Sequence, residues 1–73
     1  MGRYSVIKSP VNEAILSMLG VEYVVEGSRI VFEWEASGEN VKRLASMLMT
    51  LGYAHDEPYA YRVAASFFLN RLD

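Results

Sequence analysis

Residues 21–35 read VEYVVEGSRIVFEWE, two β-prone runs separated by Gly27-Ser28. A two-residue turn that begins with glycine joins antiparallel strands, because glycine accepts the positive φ such turns need. The turn fixes the register. Glu26 pairs with Arg29, Val25 with Ile30, Val24 with Val31, Tyr23 with Phe32, Glu22 with Glu33 and Val21 with Trp34. Successive side chains alternate between faces. Val21, Tyr23, Val25, Ile30, Phe32 and Trp34 therefore point to the core, and Trp34 is expected to be buried. Glu22, Val24, Glu26, Arg29, Val31, Glu33 and Glu35 point the other way. The register opposes Glu22 to Glu33, which is unfavourable. The expectation is that a cation relieves it, either Arg3 or Lys8 from an N-terminal strand or a basic partner.

The flanking segments supply the other elements. RYSVIK, residues 3–8, is a short β-prone run. SPVNEAILSMLG then carries both helix signals, with Ser9 as cap, Pro10 at the first position and Gly20 as the stop. Val11, Ala14, Ile15, Met18 and Leu19 share one face of that helix. A second helix spans about Gly38 to Leu51, between Ser37 as cap and Gly52 as stop. A third runs from about Pro58 to Leu72, with Asp56 as the cap candidate. On it only Arg62, Ser66, Asn70 and Asp73 form a polar stripe, so it is apolar nearly all round.

The predicted order is β-α-β-β-α-α, a small α+β domain over residues 1–73. A crossover through the first helix makes strand one parallel to strand two. The third strand then lies between them, a split β-α-β sheet packed on helices with a helix where a fourth strand is expected. The fallback is a lone hairpin on three helices.

Seventy-three residues make a single domain. A chain this short buries only about 60% of its unfolded surface, so its core is thin. The chain has no cysteine, which excludes disulfides, thiolate zinc sites and cysteine nucleophiles. Stability must come from packing or from oligomerisation. The N-terminus lacks the apolar run of a signal peptide, and no segment is long enough to span a membrane, so a cytoplasmic protein is expected. Arginine outnumbers lysine five to two and glutamine is absent, which leans towards a thermophile or a GC-rich genome.

No catalytic constellation is legible. His55, Asp56 and Glu57 are consecutive and cannot all converge on one metal, and there is no second histidine. No G-x-S-x-G elbow and no phosphate-cradling glycine loop occur. No cofactor or metal is expected. The net charge of −2 argues against a general attraction to nucleic acid.

Two features remain. Glu22, Glu26, Glu33 and Glu35 share one sheet face, where they discourage edge-to-edge aggregation or await a basic protein partner. The third helix carries more apolar surface than one small sheet and two short helices can cover. The expected function is therefore a non-enzymatic protein–protein interaction module, an accessory subunit that forms a homodimer. Its interface would use Tyr61, Ala65, Phe68 and Leu72, with Phe68 as anchor. The alternative is a nucleic-acid-binding module using Lys42, Arg43 and exposed tyrosines. A small enzyme with a site between subunits, joining His55 to glutamates of a second chain, is the third class.

Overall fold

The N-terminal run does form a strand. The computed structural model describes residues 1–73 and orders them as β1 (Gly2–Ile7), α1 (Pro10–Met18), β2 (Tyr23–Glu26), β3 (Arg29–Trp34), α2 (Gly38–Thr50) and α3 (Glu57–Ser66). The sheet order is β1-β3-β2, with β3 antiparallel to both neighbours. This is the expected split β-α-β arrangement of a small α+β domain. No helix is long and apolar enough to cross a membrane.

The turn chemistry behaves as the residues require. Gly27 sits at φ +62° and Ser28 at negative φ, which is the two-residue turn that matches strand twist. Each helix begins on a side-chain cap. The Ser9 hydroxyl accepts from the Asn12 N–H at 3.0 Å, Ser37 from the Asn40 N–H at 3.1 Å, and Asp56 from the Tyr59 N–H at 2.8 Å. In the first two, the same asparagine reaches back to a carbonyl before the cap, Ile7 or Glu35. Gly20 and Gly52 take positive φ just beyond α1 and α2 and end them.

The hairpin ladder runs from Glu26↔Arg29 to Tyr23↔Phe32 as expected, and stops there. Glu22 and Val21 lie outside β2. Glu33 and Trp34 are paired instead with Arg3 and Gly2 of β1.

One face of the sheet carries the core. Tyr4, Val6, Ile30 and Phe32 meet Ile15 and Leu16 of α1, Leu44, Ala45 and Leu48 of α2, and Ala60 and Ala64 of α3. The two alanines are fully buried, and small side chains there bring α3 against α2. Two residues of this face depart from expectation. Trp34 is only half-buried at the margin of the core, and Val25 is 46% exposed because it lies on the edge strand, outside the core that holds its partner Ile30.

The third helix is the main correction. It ends at Ser66, six residues before the expected Leu72. Phe67, Phe68 and Leu69 follow in tight turns whose N–H groups bond to carbonyls three residues back. The chain then lies along β1. Ser5 donates its N–H to the Asn70 carbonyl at 3.0 Å, and Leu72 donates to Arg3 at 2.8 Å, around a Tyr4↔Arg71 bridge. The cause is non-local: without this segment, β1 would present unpaired main-chain groups along its edge. The segment is a fourth strand reduced to one bridge, in the order C-terminal segment, β1, β3, β2.

Candidate functional site

Of the residues singled out by charge, Glu26 of β2 and Glu33 of β3 stand on the sheet face opposite the core, while Glu22 and Glu35 lie just outside the strands. Glu22, Glu26, Glu33 and Glu35 are all exposed. Arg3 stands directly across from Glu33 in the β1–β3 register, and its Nε lies 3.9 Å from the Glu33 carboxylate. A cation from the first strand therefore meets Glu33, while Glu22 has left the ladder. Glu22, Glu26 and Glu35 have no ion-pair partner within the chain. Lys8, the other candidate, pairs with Glu13 of α1 at 3.6 Å.

Arg29 faces Glu26 in the register but turns its guanidinium away. Its Nε donates to the Ser5 hydroxyl at 2.8 Å and its Nη2 to the Ser5 carbonyl at 3.2 Å. The Asn70 amide donates to the same hydroxyl. Ser5 and Val31 lie on this outer face, yet both are buried. A central-strand position under long neighbours explains Val31, and the Arg29–Asn70 clasp explains Ser5. No sequence signal marked Ser5 or Asn70, because their partnership spans nearly the whole chain.

Beside this clasp, Met1, Arg3, Glu22, Val24, Val31 and Glu33, with Tyr23 and Phe32, border a shallow depression of about 530 Å³. Val24 is 56% exposed. The outer face therefore offers exposed Val24 between the carboxylates of Glu22 and Glu33, with Arg3 beside Glu33.

The expected dimer anchor is placed differently. Phe68 is half-buried inside its own chain, with ring centroids 5.1 Å from Tyr4, 6.0 Å from Trp34 and 6.4 Å from Phe32. It does not continue a helical patch with Leu72, because α3 has already ended. The tight turns let both Phe67 and Phe68 enter the core despite being adjacent. Tyr61 and Ala65 remain exposed on α3, and Leu69 and Leu72 are exposed beyond it, Leu69 at 80%.

The remaining candidates stay apart. His55 is exposed, and Asp56 is occupied as the cap of α3. No group of three or more His, Asp or Glu side chains converges in a way that could hold a metal ion. Lys42 and Arg43 are exposed on α2, in a groove that includes Met18, Glu39 and Thr50 but no tyrosine. Arg43 already lies over the Trp34 ring at 5.7 Å.

Fold and surfaces define a small α+β domain with an open, acidic sheet face. Comparison with protein-family models, with curated proteins and with solved structures gives no match.

Proposed function

We propose that this chain is a non-enzymatic protein–protein interaction module, a cytoplasmic accessory subunit that self-associates through apolar surface at the end of α3. What carries this reading is the exposure of Leu69, with Leu72, Tyr61 and Ala65 also left outside the core between positions 61 and 72. Exposed apolar surface of this kind marks a contact with another chain when its members are contiguous. Two-fold pairing is the commonest way such a patch is covered. The nucleic-acid alternative draws less support, since Lys42 and Arg43 share their groove with Glu39 and with no stacking ring.

The test is sedimentation equilibrium of the intact chain over a wide concentration range. A dimer is expected, and Leu69→Asp is expected to shift it to monomer while the circular dichroism and melting curve stay unchanged. Phe68→Asp would not serve, because it places a charge inside the chain's own core. A wild-type monomer at the highest soluble concentration would remove this reading.

A further inference from the structure

The two margins of the sheet are unlike. The free side of β1 is closed by residues 70–72. The free side of β2 is not. Hydrogen-bonded and non-hydrogen-bonded pairs alternate along an antiparallel ladder, and the pair that closes a two-residue turn is bonded. Glu26 and Val24 therefore direct their main-chain groups to β3, and Tyr23 and Val25 direct theirs outward. No other main-chain bond of the chain reaches Tyr23 or Val25.

The side chains beside these open groups select what can join them. Val24 and Glu26 stand on the outer face of β2, Glu22 lies immediately before its first residue and borders the same depression as Val24, and neither carboxylate has an ion-pair partner. The neighbouring cations are engaged elsewhere: Arg29 is turned to Ser5 and Arg3 to Glu33 across β3. A second copy of β2 fits poorly. Two-fold antiparallel pairing centred on Val24 sets Glu22 of each copy against Glu26 of the other, at both ends. Like charges directly opposed destabilise a strand pair. An incoming strand with Lys or Arg at those two positions and a small apolar residue between them reverses both terms.

We propose that the open edge of β2 takes an extended basic segment of another protein as an added strand, main chain to main chain at Tyr23 and Val25, with its alternate Lys or Arg side chains on Glu22 and Glu26. Strand addition of this kind draws affinity from backbone bonds and selectivity from alternate side chains. The inference rests on the interaction-module reading but uses a different surface from the one proposed for self-association.

The probe is a synthetic peptide in which lysine and threonine alternate about a central valine, titrated against the intact chain. Amide exchange at Tyr23 and Val25 is expected to slow on binding, and added salt is expected to weaken it. Replacing both carboxylates, Glu22→Gln with Glu26→Gln, is expected to lower affinity about tenfold. Equal binding by a peptide of the same composition in scrambled order, or by one N-methylated at alternate residues, would reduce the effect to charge alone and overturn the proposal. Slowed exchange at Tyr23 and Val25 that appears without peptide, as protein concentration rises, would assign the edge to a second copy and overturn it too. Loss of peptide binding with an intact Leu69-dependent dimer removes this inference alone. Peptide binding by a monomer retains it and removes self-association.

Discussion

Asn70 and Ser5 are joined twice, by the Ser5 N–H on the Asn70 carbonyl at 3.0 Å and by the Asn70 amide on the Ser5 hydroxyl. The second bond shares its acceptor with Arg29. Asn70→Ala keeps the backbone pairing and removes the amide, at an expected cost of about 1 kcal/mol. Ser5→Ala strips the acceptor from two donors at a buried position and is expected to cost about 1–2 kcal/mol. Urea unfolding of the single and double variants measures the coupling. The double loss should be smaller than the sum, and strict additivity would show that the three side chains do not act as one network.

Glu33 is opposed by Arg3 and no longer by Glu22, so its charge is compensated. Both side chains stand largely in solvent, where such pairs are worth roughly 0–1 kcal/mol. Glu33→Gln is expected to change stability by less than about 0.5 kcal/mol, and high salt should shrink even that difference. A marked, salt-independent gain in stability would mean that the repulsion on this face is uncompensated.

Trp34 is held between Phe68 at 6.0 Å and the Arg43 guanidinium at 5.7 Å. Its emission should be intermediate between buried and exposed, with partial quenching by iodide. Trp34→Ala is expected to cost about 2 kcal/mol, below the ~3–5 kcal/mol of a fully buried aromatic. Arg43→Ala should raise the quenching while costing no more than about 1 kcal/mol. Unchanged quenching in Arg43→Ala would show that the guanidinium does not shield the ring.

Asp73 accepts from Arg71 at 2.8 Å, and this bond, aided by the Arg3 N–H, holds its carboxyl below the usual 3.8. Arg71 is correspondingly raised by the same hydrogen bond. A carboxyl lowered in the folded state contributes stability above its unfolded value, and that contribution fades as pH falls through the lower folded one. Protection of the Leu72 and Ser5 amides, relative to their intrinsic exchange rates, should therefore fall as the pH drops below the usual carboxylate value, ahead of protection at Ile30 in the centre of the sheet. Asp73→Asn should flatten this acid response, and an unchanged profile would place its cause elsewhere.

The hairpin was legible because alternation and one glycine leave a single register that buries Ile30 and Phe32. The helix starts were legible because Ser9, Ser37 and Asp56 act within three residues of themselves. The end of α3 was not. Val63 and Phe67, and Phe68 and Leu72, are each four residues apart, and nothing local contradicts a longer helix. Beyond Ser66 the chain instead lies along β1, a pairing that joins positions about 65 apart and leaves no local trace. The same non-locality explains the misplaced anchor, since Phe68 was assigned to the surface on the strength of a helix that had already ended. Glu33 is legible as a charge that needs a partner, and the N-terminal strand supplies Arg3 across from it.

The closed margin of β1 also limits how copies of this chain can assemble. A sheet open on both sides can join head to tail, each copy offering a fresh edge to the next, and such contacts grow into filaments. With residues 70–72 in place, only the β2 side can accept a strand, so growth through the sheet stops after one addition. Removing that short segment would turn a module with one open edge into one with two, and the exposed carboxylates of Glu22 and Glu26 would guard only one of them.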